Sequence, residues 1–316
     1  MQSVFVFGSL NIDLSFFHKT LPTLGETLKC ESFLFGFGGK GANQAVQIAN
    51  NSIPVSLIGA IGDDSFGKSY SEHLSKCNHL TPHLAVVPST STGVASILID
   101  KDGHNLISIS GGANEKLPLS VLDTLNLQGI VLCQGELSFP TTFEILSRTK
   151  ASNCFTVLNF APISKFDPSQ FNLGSVVDLL IVNEHEAIEL LKIFVPDFNL
   201  TTVLSPIQDS IVIAQELNKF FSEVVITLGA NGAVVVSREL TAHVSGLKVE
   251  NIVDTSGAGD SAVASIVSSL AVGASLVDSV RVGMHTASLK IQRRGAQNYP
   301  SHSRSEFMEL VNKCRV

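Results

Sequence analysis

Short apolar runs alternate with longer amphipathic stretches along most of the chain, and this alternation sets the expected fold class. Residues 4–7 (Val4, Phe5, Val6, Phe7) form an unbroken apolar run stopped by Gly8, the pattern of a strand buried on both faces. From Ser9 to Leu14 polar and apolar residues alternate, so Asn11 and Asp13 fall on one face of an extended segment. Residues 27–37 are extended and aromatic, and a Gly-rich turn then leads into a helix expected over 42–50. A strand is expected over 55–61 and a helix over about 66–76. Two β-rich runs, 93–99 and 105–109, flank Lys101-Asp102-Gly103-His104, and Asp-Gly is a strong hairpin signal.

From residue 119 onward the alternation is regular. Strands are expected at 130–134, 156–159, 179–183, 224–228 and 233–237. Helices are expected near 141–149, 184–193, 210–221, 257–272, 275–293 and 305–313. This is the α/β pattern of a mostly parallel sheet flanked by helices on both faces. Residues 27–37 and 93–109 stand outside it and predict a small separate antiparallel sheet. Its apolar face is expected to cover a site, to pair with another subunit, or both.

Composition narrows the classes without choosing a function. The chain has 316 residues, 44% hydrophobic and 16% charged, which excludes disorder. A net charge of −7 and the absence of a basic run argue against a nucleic acid or an anionic membrane as partner. The five cysteines are scattered with no CxxC pair, as in reduced cytosolic proteins. With no charged leader region and no apolar run of about 18 residues, a cytoplasmic location is expected, the nucleus being open to a eukaryotic protein.

The chemistry concentrates at Gly257-Ala258-Gly259-Asp260, ahead of an apolar helix. Small residues there let the backbone approach a ligand, and the free N–H groups of a helix start favour an anion. A carboxylate beside that anion suits a base taking the proton of an attacking hydroxyl, the arrangement of phosphoryl transfer. The same stretch also reads as an ordinary helix start with an acidic residue suited to the dipole. Gly36, Gly38 and Gly41 match G-x-G-x-x-G, but a first strand has already passed, which disfavours a dinucleotide fold. A Walker A loop fails because Gly41 follows Lys40 where Ser or Thr should stand. Lys40 and Asn43 at that helix start suit several hydroxyls and a developing charge. Glu136, Asn183, Glu186, Thr227 and Gly229 all follow expected strands, on the edge where α/β sheets bind ligands. On spacing alone, Asn11 and Asp13 fit a solvent-facing strand edge better than a polyol site.

Taken together and in order, these motifs resemble those of the ribokinase-like sugar kinases of the phosphofructokinase-B type, and within them the ribokinase branch. The carriers are Gly8-Ser9-Leu10-Asn11-Ile12-Asp13, Gly38-Gly39-Lys40-Gly41-Ala42-Asn43-Gln44-Ala45 and Asn183-Glu184-His185-Glu186. Thr227-Leu228-Gly229, Asp254-Thr255-Ser256-Gly257-Ala258-Gly259-Asp260 and Arg294-Gly295-Ala296-Gln297 complete them. The resemblance implies one ribokinase-like three-layer α/β domain over residues 1–316, with a β-sheet lid from about 10–37 and 92–110. It implies ATP-dependent transfer of the γ-phosphoryl group to the 5-hydroxyl of D-ribose, with Asp260 as base and the amides of Gly257, Ala258 and Gly259 as anion hole. Asn11, Asp13, Gly39, Lys40, Asn43, Glu136 and Asp260 match the sugar positions. Asn183, Thr227, Gly229, Gly232 and Gly259 match the nucleotide positions, and Glu186 a water-mediated magnesium (Mg2+) ligand. Asp254, Ser256, Lys290, Arg293, Gly295 and Tyr299 match a monovalent-cation (K+) site, mostly through carbonyls. Ser256 stands where Thr is usual, and Tyr299 where a smaller residue is common. The resemblance also implies a homodimer clasped through the lids. Another sugar or nucleoside kinase of the family (acting on 2-deoxyribose or fructose, for example) and a non-catalytic nucleotide- or sugar-binding regulator are the alternatives.

Overall fold

The computed structural model of the chain describes residues 1–199 and 205–315. Its elements run β1 (Val4–Phe7), β2 (Asn11–Phe17), β3 (Ser32–Gly38), α1 (Lys40–Asn50), β4 (Val55–Gly62), α2 (Ser65–Leu74), β5 (Leu80–Val87), β6 (Gly93–Ile99) and β7 (Asn105–Ser110). They continue with β8 (Ile130–Gln134), α3 (Phe139–Ala151), β9 (Phe155–Asn159), α4 (Leu173–Val176), β10 (Leu179–Asn183), α5 (Glu184–Phe194) and α6 (Pro206–Leu217). The last are β11 (Glu223–Thr227), β12 (Ala233–Ser237), β13 (Thr241–Val244), α7 (Ala258–Ala271), α8 (Leu276–Lys290) and α9 (Arg304–Cys314).

A nine-stranded sheet has the order β13-β12-β11-β10-β9-β8-β1-β4-β5. From β11 to β5 every pair is parallel, and β12 and β13 close one edge as antiparallel neighbours. The apolar runs divide between two cores. Val4 and Val6 of β1 face the layer holding α1, α7, α8 and α9, whereas Phe5 and Phe7 face the layer holding α3, α5 and α6. Leu179 and Ile181 of β10 separate from Leu180 and Val182 in the same way. This is why these strands read as continuous apolar runs: both faces are covered, and each fully buried Val, Leu or Phe contributes about 1.5–3 kcal/mol. The result is an α/β fold with a large, mostly parallel sheet between helical layers and a small second sheet.

That second sheet has the order β3-β2-β6-β7. It contains both segments that stood outside the helix–strand alternation, together with β2. Because β2 begins four residues after β1 ends, it carries Asn11 and Asp13 straight from the main sheet to the small one.

Other elements shift or appear. Pro82 disguises β5, which hydrogen-bonds only β4 and is an edge strand, the place where Pro is tolerated. β13 is four residues long and exposed at its start, so it leaves little apolar pattern. The helix expected over 210–221 starts earlier, because Ser205 caps it and Pro206 opens its first turn. The helix expected over 275–293 ends at Lys290, because the Ile291 carbonyl accepts the amides of Val253 and Asp254. Among the described residues no helix is long and apolar enough to cross a membrane.

Candidate active site

Helix α7 starts at Gly257, whose φ of +73° is left-handed and whose Cβ, if present, would lie 2.5 Å from the Ala296 carbonyl oxygen. No side chain caps this start, so the N–H groups of the first turn are available to an anion. Asp260 stands in that turn, 7% exposed. Two amides of α1 hold its carboxylate: Asn43 Nδ2 donates to Oδ2 and Gln44 Nε2 to Oδ1, both at 2.9 Å. Gln44 is fixed in turn, since its Oε1 accepts from Gln134 Nε2 and its Nε2 also donates to Asn159 Oδ1, each at 2.8 Å. Asn43 Oδ1 accepts from Gln297 Nε2 at 3.1 Å. Each carboxylate oxygen of Asp260 keeps lone-pair capacity for a further donor, as a base needs.

Around the start of α1 the polar groups carry an excess of negative charge. Gly39 holds the turn into α1 at a φ of +87°, and a Cβ there would meet Asn11 N and Ser9 O at 2.7 Å. Gly38 lies over Asp13, so that a Cβ would come within 2.2 Å of Asp13 Oδ2. The Lys40 amide donates to Glu136 Oε2 at 2.8 Å, and the Ser9 hydroxyl donates to the same oxygen. Asn114 donates to Asn11 Oδ1 at 2.8 Å and also binds the Leu10 backbone in both directions. Burial, reinforced by the charges of Glu136 and Asp260, pushes Asp13 up to about 7. The Asp260 carboxylate raises Lys40 above its ordinary value, with help from Glu136 and Glu186 against the opposing effect of burial. Asp13, Glu136 and Asp260, which influence one another's charge, offer acceptors that suit a ligand rich in hydroxyl donors.

A cavity of about 780 Å³ adjoins the start of α7. Asn183, Thr227, Gly229, Gly232 and Gly259 line it together with the apolar side chains of Met284 and Ile291. Asn183 and Glu186 form a capping box at the start of α5, in which Asn183 N donates to Glu186 Oε2 and Glu186 N to Asn183 Oδ1, both at 2.9 Å. Burial raises Glu186 above the usual carboxylate range.

The last expected set lies beside α7. Asp254 Oδ1 accepts the Ser256 amide at 2.9 Å and its Oδ2 the Gly295 amide at 2.8 Å, so the two loops are tied together. Burial pushes Asp254 up, but these amides outweigh it and hold the carboxyl below its ordinary range. Lys290 Nζ donates to the Arg293 carbonyl at 3.2 Å, and Arg293 Nη1 to the Tyr299 carbonyl at 2.9 Å.

All the residues singled out in the sequence therefore fall into four adjoining groups. The supporting polar residues were not singled out. Gln134, Asn159 and Asn114 carry no motif and lie far from α1 in the chain. Gln44 and Gln297 lay inside quoted motifs, and only their contacts reveal that they orient Asp260 and Asn43.

The family model for pfkB family carbohydrate kinases matches residues 1–304. A ribokinase of Dictyostelium discoideum is 34% identical over 95% of this chain and 98% of its own length. A crystal structure of Thermotoga maritima ribokinase superposes with a TM-score of 0.85 at 29% identity, covering 99% of this chain and 100% of that one. A structure of Arabidopsis thaliana ribokinase complexed with ribose and ATP superposes with a TM-score of 0.82 at 26% identity, covering 98% of each chain. The chain belongs to the pfkB family of carbohydrate kinases.

Proposed function

We propose that this protein transfers the γ-phosphoryl group of ATP to the 5-hydroxyl of D-ribose. The observation that carries the reading is the position of Asp260. Its carboxylate is held by two amides between the acceptor-rich groups around the start of α1 and the large cavity, at an uncapped helix start. In this reading Asn11, Asp13, Gly39, Lys40, Asn43 and Glu136 bind the sugar, and Asp260 takes the proton of the attacking hydroxyl. The N–H groups of Gly257, Ala258 and Gly259 receive the charge of the transferring phosphoryl group. The nucleotide lies along Asn183, Thr227, Gly229, Gly232 and Gly259.

Glu186 fits an Mg2+ held through water: it is a hard oxygen ligand locked in place by its capping box. Such an ion supplies neutralisation of phosphate charge. The residues matched to K+ fit a free ion poorly. The carbonyls of Arg293 and Tyr299 already accept from side-chain cations, whose fixed charges repel a second cation.

Residues 1–316 are read as one domain whose small sheet forms a lid over the sugar. Lid closure would exclude water, the competing acceptor. The apolar residues Phe33, Leu34, Phe35, Leu106, Ile107 and Ile109 are exposed on that sheet, which supports a homodimer joined through the lids. The test is ADP release from MgATP with D-ribose, 2-deoxyribose, fructose and adenosine in parallel. Release that is fastest with ribose is expected. Release with another acceptor only would overturn the ribose assignment, and no release with any acceptor would favour a binding protein without catalysis.

A further inference from the structure

Lys290 is the last residue of α8, and its side chain is wholly buried at 0% exposure. Lysine is almost never fully buried without a partner. The Nζ donates to the carbonyl of Arg293 at 3.2 Å, and the Asp254 carboxylate favours its charged form. Burial lowers Lys290 below its ordinary value, and Asp254 acts against that shift. Asp254 ties Ser256 to Gly295, and the Ala296 carbonyl packs directly on Gly257. One fixed positive charge thus sits on the Arg293 carbonyl and feels the Asp254 carboxylate, beside the loops that shape the anion site.

We infer that the Lys290 ammonium occupies the role of a free monovalent cation in these loops, so that the protein works without added potassium. An ammonium group and K+ carry the same charge, have similar size and both favour carbonyl and carboxylate oxygens. The difference is that this one is tethered. Its charge cannot be diluted away, and it holds the Arg293 carbonyl that a bound ion would otherwise claim. The inference rests on the kinase reading for its turnover arm but not for its binding arm.

The test compares potassium with tetramethylammonium as the only monovalent cation. It measures ADP affinity by titration calorimetry and ribose-dependent turnover for the wild type, Lys290→Ala and Lys290→Met. For the wild type, both quantities should agree within about twofold between the two salts. A tenfold rise of either with potassium overturns the inference. Lys290→Ala opens space and should become potassium-dependent by at least about fivefold. Lys290→Met keeps the volume without the charge, so it should bind ADP more weakly in both salts. A variant that matches wild type in tetramethylammonium also overturns the inference. If neither variant folds, the wild-type comparison decides. Salt-independent ADP binding with no turnover on any sugar would support the lysine assignment and count against the kinase reading.

Discussion

Asn43 and Asp260 lie 217 residues apart in the chain, and the Asn43 amide donates to the Asp260 carboxylate at 2.9 Å. The bond joins the start of α1 to the start of α7, the two helix ends on which the proposed sugar and phosphate positions stand. Asp260→Asn would place an amide donor against the amides of Asn43 and Gln44, at a cost of about 1–3 kcal/mol. Loss of the base should lower kcat by about 10²–10⁴-fold. The fold and an ADP affinity within about threefold of wild type should survive. Turnover near the wild-type value would remove Asp260 from the role of base.

In the proposed reaction Gln44 positions Asp260, to whose Oδ1 its amide donates. Replacing it with Met keeps its size but strands Gln134 Nε2, Asn159 Oδ1 and one oxygen of Asp260, for about 1–3 kcal/mol of lost stability. Because the sugar positions do not include Gln44, kcat should fall about tenfold while KM for the sugar moves less than about threefold. Equal changes in both would mean that Gln44 binds substrate instead. Unchanged kcat would mean that Asp260 needs no such support.

The protonation of Asp13 gives a pH signature. Its folded value of about 7 lies above the ordinary 3.8, so between these values the folded chain keeps a proton that the unfolded chain has lost. The stabilisation from this group is complete below about pH 4, is lost as pH rises toward 7, and is flat above. Asp13→Asn lacks this dependence, so its unfolding midpoint should gain on the wild type from pH 4 to pH 7.5. Hydroxyl donors favour the carboxylate, so sugar binding near pH 6 should release a proton. Calorimetry in two buffers of different ionisation enthalpy measures that release. A midpoint difference that does not vary with pH would show that Asp13 is ionised throughout.

The main sheet was legible because its inner strands are buried on both faces and most of the helices around it are capped by local polar residues, both of which leave marks within a few positions. β5 was hidden by Pro82 and β13 by its brevity, since only pairing at a sheet edge makes either segment a strand. The site divides along the same line. Asp260, Lys40 and Asn183 stand in short motifs at helix starts, where sequence neighbours impose the geometry. Asn159, Asn114 and Gln134 are single polar residues whose value depends on which strands become neighbours. Lys290 was expected within a helix over 275–293 and, by resemblance, at a cation position, and only the structure shows that its side chain is buried at the end of α8.

The small sheet supports a prediction about assembly. All six residues of β7 are exposed, and the strand pairs only with β6, which leaves an open edge and apolar side chains in contact with water. In sedimentation at micromolar concentration the protein should run as a dimer of the 33.6 kDa chain. Ile107→Asp should shift it to monomer with its helices intact. A wild-type monomer under those conditions would end the lid-pairing proposal.

Gly259 separates the anion site from the fold. Among the described residues, no atom outside its chain neighbours and its own helix backbone lies within 4 Å of where its Cβ would be, and its φ is not in the left-handed region. Valine therefore meets no steric barrier in the ligand-free protein, and its effect on α7 should be within about 1 kcal/mol. The same open space faces the cavity that Gly259 lines with Asn183 and Thr227. If the phosphates of the nucleotide lie over the start of α7, the two methyl groups of valine stand where those oxygens must approach the amides. Gly259→Val should then keep its unfolding midpoint within about 3 °C, while ADP affinity falls at least tenfold and turnover is lost. Unchanged ADP affinity in a folded variant would place the phosphates elsewhere, and the uncapped helix start would lose its claim to be the anion hole.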